Sequence, residues 1–562
     1  MAFRGRTTLP FDVEKTVDGS LRAQRTSEER LPPRLRQACE EHPSLYDYVC
    51  RIPTDEIGMP DYYPKLSRRL RDLEWHNLIY PIKGDLFIHI YPDAHGERDY
   101  YVVVEPHLTV SLNGHLDDVE YRLMDWVEEI GSAETKEDKE AALLTALEGI
   151  LSTNGDASKI AVTPRQMEAI RYLILREKIG LGILQPLLQD PYIEDISCSG
   201  VGPVFIEHKI FNSLQSTLTF TDEEDLDEFV IWMGEGIKKP VTVRNPIVDS
   251  VLPDGSRINI VYGSDISKRG SNFTIRKFSE TPLSVIELIE FGTLDYSMAA
   301  YLSFVLEEGL NVFVVGATAS GKTTTMNAIT TFMRPDDKIV SIEDTPELQV
   351  PHKNWIREVT RGSGREDSNS EIGMFDLLKA SLRQRPDRII IGEIRGVEGA
   401  IAFQAMQTGH GVMSTFHADS VEKLIQRITG DPISIPKAYV DNLDVVIIQS
   451  VVKPAGADIA RRIVSINEIV GYDPVAHTFS FIEVFRWNQA RDTFDFPGHM
   501  NSYLLEERIA PKRGIPDFKR KAIYTDLKRR AKIFERLHKE RHLKDFYEVF
   551  NILSEAYRQK LL

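Results

Sequence analysis

The sequence predicts an α/β protein in which a parallel-sheet domain, residues 283–510, follows an α+β region and precedes a helical tail. Three observations lead to this prediction. Helical patterns alternate with short apolar runs between residues 283 and 510, as in an open sheet with buried strands. A glycine-rich loop of phosphate-binding type follows the first of these runs. Residues 511–562 are basic, and their apolar side chains recur at helical spacing.

Length and composition indicate a globular protein of several folding units. The 562 residues are 42% apolar and 27% charged, which predicts about three to four units. The sequence has no window of 18 consecutive apolar residues and no apolar signal core near Met1, so we expect a cytoplasmic protein. The three cysteines are too few and too scattered for a disulfide framework or a structural zinc site. A net charge of −17 argues against a general nucleic-acid binder.

The N-terminal half divides into three predicted segments. Residues 1–40 are rich in charge, Pro and Thr, which predicts a disordered or flexible arm. Residues 41–158 mix strand-like and helical patterns and end in a Gly- and Ser-containing linker, which predicts an accessory α+β region. Thr163 and Pro164 then begin a long amphipathic helix. Short strands and one more helix follow it, so residues 159–278 are predicted to form a second α+β domain.

Residues 316–324, called the phosphate loop below, fit the pattern G-x-x-x-x-G-K-[ST] between an apolar run and a helical pattern. Glycines allow backbone N–H groups to surround phosphate oxygens, while Lys322 can reach the terminal phosphates and Thr323 can bind magnesium. The predicted nucleotide-binding residues are Gly316, Ala317, Thr318, Ala319, Ser320, Gly321, Lys322, Thr323 and Thr324.

Carboxylates follow two further predicted strands of the same sheet. Glu393 comes after the apolar run 388–391, and it is the first candidate for orienting or deprotonating an attacking water. Glu343 comes after the run 338–342. It competes with Glu393 for that role, or serves a metal contact through water, with Glu347 as a weaker candidate.

Two histidines flank the predicted strand 412–416. His417 lies at its carboxyl end, where a side chain can sense the terminal phosphate. His410 lies at the opposite end, about 20 Å away in an extended chain, and is expected to belong to the core or to a subunit contact.

Arginines are candidates for stabilising charge in the transition state. Arg383, Arg385 and Arg395 lie near the second carboxylate, where each could also be a simple ion-pair partner. Arg257 and Arg276 lie at a turn and at a strand end of the preceding domain, where they could reach another domain's or subunit's nucleotide or could be ordinary surface residues.

Four ordered blocks resemble the secretion-type traffic ATPases, which power type II and type IV secretion, type IV pili and the archaellum. The resemblance covers about residues 160–510 and rests on GATASGKTTT, SIEDTPELQ, LLKASLRQRPDRIIIGEIRG and AMQTGHGVMSTFHADS. It implies a RecA-like motor domain that binds ATP and Mg²⁺, an N-terminal domain that completes the nucleotide site, and a homo-hexameric ring. It also implies that Arg257 and Arg276 act at the nucleotide, and that Glu393 and Glu343 serve catalysis and metal binding.

The branch of this superfamily is suggested by two features. Bacterial assembly members usually carry a four-cysteine metal loop, whereas this chain has no cysteine after Cys198. The block RRIVSINEIVGYDP and the basic tail resemble archaeal members, most of all the archaellum motor and assembly ATPase, with a pilin-exporting ATPase as the alternative.

The functional expectation is an ATP-driven motor that acts on a polytopic membrane platform protein, with residues 1–158 available to accessory cytoplasmic regulators. Residues 511–562 hold 15 Lys and Arg against 7 Asp and Glu. That excess would suit a peripheral position at an anionic inner membrane face. It would equally suit a solvated helical face. A nucleic-acid motor is the alternative of a different class, and the acidic balance of the chain disfavours it.

Overall fold

The computed structural model of the chain describes residues 6–7, 9, 31–93, 98–112, 114–133, 135–153, 156, 158–278, 281–361, 372–454 and 459–559. The chain forms two compact units, Met1–Phe278 and Ser279–Leu562. Within the ranges given, no helix is both long enough and apolar enough to cross a membrane.

The N-terminal unit is built on a large mixed sheet. Its strands are β1 (Arg6–Thr7), β2 (Asp61–Tyr62), β3 (Leu78–Lys83), β4 (Leu86–Tyr91), β5 (Tyr100–Val104), β6 (Leu151–Ser152), β7 (Ile160–Ala161), β8 (Ile193–Cys198), β9 (Gly202–His208), β10 (Asn212–Phe220), β11 (Ile247–Val251), β12 (Arg257–Val261) and β13 (Asn272–Arg276). The sheet order is β11-β12-β13-β8-β9-β10-β5-β4-β3-β2, with β1 also paired to β10 and a separate β6-β7 pair.

Helices surround this sheet. They are α1 (Pro33–Glu41), α2 (Pro43–Val49), α3 (Thr54–Ile57), α4 (His115–Leu123), α5 (Val127–Gly131), α6 (Lys136–Ile150), α7 (Pro164–Lys178), α8 (Gln185–Gln189) and α9 (Glu223–Gly236). The predicted start of α7 is observed, since Thr163 and Gln166 form a reciprocal capping box there.

Observed elements lie within two of the segments expected for the first 278 residues. The arm predicted over residues 1–40 lies largely outside the described residues, but Arg6–Thr7 pairs with β10 and α1 is a regular helix. The predicted joint near residue 158 does not separate two sheets, because β10 pairs with β5 through Gln215 and Tyr100. Sequence patterns miss such a pairing because the two strands are more than a hundred residues apart.

The C-terminal unit contains the predicted parallel sheet. Its strands are β14 (Val312–Gly316), β15 (Ile339–Glu343), β16 (Trp355–Val359), β17 (Arg388–Glu393), β18 (Gly411–Phe416), β19 (Val445–Val452), β20 (Ala460–Asp473), β21 (Thr478–Asn488) and β22 (Thr493–Asp495). Their order is β16-β15-β17-β18-β14-β19-β20-β21-β22, with parallel pairs as far as β19 and antiparallel pairs beyond it. The carboxyl ends of β14, β15, β17 and β18 therefore meet at one edge.

The helices of this unit confirm the alternating pattern. They are α10 (Val285–Glu290), α11 (Tyr296–Glu307), α12 (Lys322–Thr330), α13 (Met374–Ser381), α14 (Glu398–Gln407), α15 (Val421–Thr429), α16 (Ala510–Lys512), α17 (Ile523–Lys539) and α18 (Phe546–Arg558), with a π-helix at Leu504–Ile509. The α/β fold class is confirmed, with an α+β unit before the RecA-like sheet and helices after it.

The predicted basic tail is helical and completes the core of the C-terminal unit. Ile523, Leu527 and Phe534 of α17 are buried in one apolar cluster with residues of α11. Arg530, 3% exposed, donates a hydrogen bond to Glu307 and lies over the ring of Phe304. The tail is thus an integral part of this unit rather than a loosely attached appendix.

Candidate nucleotide-binding site

The phosphate loop connects the end of β14 to the start of α12. Ala319 and Gly321 have φ angles of 60° and 92°, the left-handed values that a tight loop around an anion requires. A Cβ atom on Gly316 would lie 2.2 Å from the backbone oxygen of Gln449 on β19, so only glycine fits there. The loop therefore leaves β14 at a position where two backbones touch.

Lys322 is buried at the first position of α12 and points back across the loop. Its Nζ donates a hydrogen bond to the Ala317 carbonyl at 2.9 Å and lies 3.4 Å from Nδ1 of His417. Burial lowers the pKa of Lys322, and the negative charge of Glu393 opposes that shift. The ammonium group thus binds a carbonyl of the loop itself.

Glu393 and His417 come together at the ends of β17 and β18, as the sequence predicts. His417 Nε2 lies 2.9 Å from Glu393 Oε1, while Arg395 donates a hydrogen bond to Glu393 Oε2 at 2.5 Å. Thr415 also donates a hydrogen bond to the Gly392 carbonyl at 2.6 Å, which fixes one strand end to the other. Glu393 Oε1 is buried without a hydrogen-bond partner in the described part of the chain, so the His417 ring lies against this oxygen at ion-pair distance without a hydrogen bond.

Glu343 lies in a different environment. Its Oε1 accepts hydrogen bonds from the backbone N–H groups of Glu347 and Leu348, at 2.8 and 2.7 Å, and its Oε2 lies 3.4 Å from Arg357. Burial raises the pKa of Glu343 to about 7, although these hydrogen bonds and Arg357 act in the opposite direction. This carboxyl group holds the loop after β15 in place.

The remaining donors of the site fit a magnesium nucleotide. Thr323 is half-buried in the first turn of α12, and the hydroxyls of Ser320 and Thr325 are buried without a hydrogen-bond partner. Among residues described here, no group of three or more His, Cys, Asp or Glu could enclose a metal ion. Magnesium bound with nucleotide takes few protein ligands and several oxygens from phosphate and water, so this donor set fits the ion.

The other histidine and arginine candidates have contacts within their own elements. His410 contacts Thr408 at the opposite end of β18, as expected. Arg257 and Arg276 belong to the N-terminal unit, where they are paired across β12 and β13. Arg257 bonds to Asp249 at 2.6 Å, and Arg276 bonds to Asp195 at 3.1 Å.

Sequence reasoning missed two residues that contact the phosphate loop. Arg461, at the start of β20, donates from Nε to the carbonyl of Ala319 at 3.0 Å. Gln449 of β19 lies beside Gly316 and Gly321. Arg461 begins the block RRIVSINEIVGYDP and Gln449 lies in no block, but neither position indicates a contact with the loop, because the strand order that brings them there is a tertiary property. Placing either residue at the loop requires knowing that β19 pairs with β14, and the sequence alone does not show this pairing.

Comparison with known proteins gives the family. A family model described as type II/IV secretion system protein matches residues 177–491, more than half of the chain. An uncharacterized protein of Methanocaldococcus jannaschii is 42% identical over 94% of this chain and 97% of its own length. Protein VirB11 of Agrobacterium fabrum is 29% identical over 42% of this chain and 76% of its own.

A solved structure, the ATPase DotB of Legionella pneumophila, is 18% identical with a TM-score of 0.38 and covers 52% of this chain and 80% of its own. The range matched by the family model contains the phosphate loop, Glu393 and His417. The chain is a member of the type II/IV secretion system protein family.

Proposed function

We propose that the chain is a magnesium-dependent ATPase whose C-terminal unit hydrolyses the terminal phosphoanhydride of ATP. The single observation that carries this proposal is the series of contacts from Lys322 through His417 to Glu393 beside the phosphate loop. These contacts connect the Lys322 ammonium group, which would bind phosphate, to the Glu393 carboxylate, which would act on the attacking water.

The roles of the residues follow from their contacts. Backbone N–H groups of the phosphate loop would bind the phosphates, and Lys322 would leave the Ala317 carbonyl for the terminal phosphates. Thr323 would hold magnesium, which neutralises phosphate charge when it is bound. Glu393 would orient or deprotonate the water, with His417 positioned to sense the terminal phosphate.

Glu393 is a better candidate for the base than Glu343. One oxygen of Glu343 already accepts two backbone hydrogen bonds, and the other faces Arg357. Oε2 of Glu393 accepts a hydrogen bond from Arg395, whereas its buried Oε1, 2.9 Å from His417 Nε2, has no hydrogen-bond partner among the described residues and would be open to water. Glu343 keeps the proposed role of a contact to magnesium through water.

The whole protein is proposed to be a homo-hexameric motor that assembles, and in an archaellum also rotates, a type IV pilus-like filament of archaeal type. An archaeal pilin-exporting or type II-like secretion ATPase is the nearest alternative. Relatives described as VirB11 and as a putative conjugal transfer protein support a role in a type IV system. Such work requires a polytopic membrane platform protein, and accessory cytoplasmic regulators are further proposed partners. A nucleic-acid motor is disfavoured by the net charge of −17.

A peripheral position at the cytoplasmic face of the membrane is proposed for this motor. Phe518 is 83% exposed in a basic 3-10 turn that also contains Lys519 and Lys521. An exposed aromatic ring among lysines suits an anionic lipid surface. Sedimentation with anionic and with neutral vesicles tests this, and Phe518→Ala should lower binding to the anionic ones.

The test of ATP hydrolysis is a steady-state assay of the full chain with and without Mg²⁺. Lys322→Ala and Glu393→Gln are each expected to lower turnover at least about tenfold. Glu422→Gln, an exposed carboxylate on α15, is the matched control and should keep the wild-type rate. Wild-type rates in Lys322→Ala or Glu393→Gln would contradict the proposal.

A further inference from the structure

The N-terminal unit exposes large apolar side chains on a short helical segment. Tyr121, Met124 and Val127 are 75%, 67% and 61% exposed. They are spaced by three residues along α4, a 3-10 turn at Met124–Trp126, and α5. At this spacing the three side chains share one face, because residues three apart are neighbours on a helix.

Carboxylates surround this apolar face. Residues 115–131 contain six Asp and Glu against one Arg, a formal charge of −5. Asp125 and Glu128 are exposed and adjoin Met124 and Val127 in the sequence. The segment 115–131 is called the acidic stripe.

A second apolar cluster lies at one end of the β11-β12 pair. Val243, Ile247 and Ile266 are 78%, 62% and 50% exposed. Val243 precedes β11, Ile247 is its first residue, and Ile266 follows β12. The Tyr262 N–H donates a hydrogen bond to the Pro246 carbonyl at 2.8 Å, which joins the two segments.

This second cluster has the opposite charge. Residues 238–247 and 262–271 contain five Lys and Arg against one Asp, a formal charge of +4. The two segments are called the basic patch. Lys238 and Lys268 are exposed within it.

We propose that the acidic stripe of one copy of this chain binds the basic patch of the next copy. Each surface has an exposed apolar centre and a rim whose charge is complementary to that of the other. A contact between two different surfaces is heterologous, so it repeats from copy to copy and closes a ring when the rotation permits. The inference rests on the proposed homo-oligomeric motor and identifies residues that join its subunits through the N-terminal unit.

The first test reverses charge on each surface and then on both. Asp125→Lys with Glu128→Lys, or Lys238→Glu with Lys268→Glu, should weaken assembly of the full chain at least about tenfold, because like charges then face each other. A chain with all four substitutions should regain assembly. Native mass spectrometry or sedimentation velocity at several protein concentrations measures this, and added salt should weaken the wild-type contact.

The second test uses disulfide formation between copies. Both proteins carry Cys50→Ser, so that the remaining native cysteines, Cys39 and Cys198, are buried. Met124→Cys protein is then mixed with Val243→Cys protein and oxidised. A crosslinked dimer should form in the mixture and not in either variant alone. Leu73→Cys, 40% exposed on the same unit, replaces Met124→Cys in the control mixture and should give no crosslink.

The outcomes separate this inference from the proposed function. The contact would be supported if the single-surface variants fail to assemble but still bind ATP, and if the fourfold variant assembles again. Assembly of the fourfold variant also shows that the substitutions permit folding. Unchanged assembly after single-surface reversal, or no rescue in the fourfold variant, would overturn it. Binding of the stripe to a foreign basic protein with unchanged assembly would also overturn it. Loss of ATP binding or hydrolysis in Lys322→Ala bears on the proposed function alone.

Discussion

Nε2 of His417 lies 2.9 Å from Oε1 of Glu393, while Nδ1 of the same ring lies 3.4 Å from Nζ of Lys322. One imidazole therefore connects the phosphate-binding cation to the carboxylate proposed to act on water. Its two nitrogens have different partners, so its orientation depends on both neighbours.

His417→Ala is expected to lower kcat for ATP hydrolysis by about 10- to 100-fold, because the imidazole between Lys322 and Oε1 of Glu393 is removed. The Kd for ATP should change much less, since the phosphate loop and Lys322 remain. Steady-state rates and calorimetric titration measure the two quantities. His410→Ala, at the other end of β18, is the control, and equal rates in the two variants would contradict a role for His417.

Arg461→Ala is expected to raise the Kd for ATP by about fivefold, the effect of one exposed hydrogen bond of about 1 kcal/mol. Its Nε bonds to the carbonyl of Ala319, the loop residue with a φ of 60°. Loss of this bond loosens the loop before phosphate binds. Titration with ATP measures the effect, and Arg486→Ala on β21 is the control. An unchanged Kd would show that the loop needs no support from β20.

Glu343 predicts a dependence of stability on pH. Its folded pKa of about 7 lies above the ordinary value of 4.5, so the folded state binds the proton more tightly than the unfolded state. Protonation of Glu343 therefore adds about 3 kcal/mol to the free energy of unfolding. This contribution is fully present below pH 4.5 and is lost as the pH rises through 7.

Glu343→Gln should remove that part of the pH dependence, because the amide oxygen can still accept from Glu347 and Leu348 but no longer titrates. Thermal unfolding midpoints of both proteins between pH 5 and 8 give the comparison. Parallel curves for wild type and variant would mean that Glu343 titrates near its ordinary pKa in the folded protein.

The parallel sheet was predictable because each strand is local and strongly patterned. β14 is apolar throughout and β18 is buried throughout, with Ser414 and Thr415 its polar residues, and the polar residues that follow such strands must lie at the carboxyl edge. The sequence pattern therefore predicts that Glu343, Glu393 and His417 follow strands that end at the edge of the phosphate loop.

Contacts between distant segments were not predictable in this way. Gln215 of β10 pairs with Tyr100 across the supposed linker, and Arg461 reaches the phosphate loop only because β20 pairs with β19. Glu343 has the motif position of a carboxylate that acts on water or on the metal, yet its bonds to the following loop come from a local turn that the motif does not reveal.

Arg257 and Arg276 are predicted to act in trans on a neighbouring subunit's nucleotide. Arg276→Ala protein and Lys322→Ala protein should each be nearly inactive, and mixing them should restore part of the activity, since some sites then combine an intact arginine with an intact loop. A mixture of Arg257→Ala and Arg276→Ala should recover less, because both alter the same surface. No recovery after demonstrated subunit exchange would exclude action in trans.

Arg530→Met is expected to destabilise the C-terminal unit by about 3 kcal/mol, because it removes one partner of a buried ion pair. Arg530 bonds to Glu307 at 2.7 Å and to Ser303 at 3.1 Å, and it lies 4.0 Å from the ring centre of Phe304. Arg513 also forms an ion pair with Glu307, at 2.8 Å, so the carboxylate keeps one cationic partner in the variant. The loss of stability should therefore lie at the lower end of the range for broken buried ion pairs.

Chemical unfolding monitored by circular dichroism measures this change, and Lys532→Met, exposed on the same helix, should be nearly neutral. The double variant Arg530→Met with Glu307→Gln should lose less than the sum of the single losses, because the two residues form one contact. Additive losses would mean that α17 is held to α11 by apolar packing alone. In that case the basic residues of the tail could bind a partner without lowering the stability of the C-terminal unit.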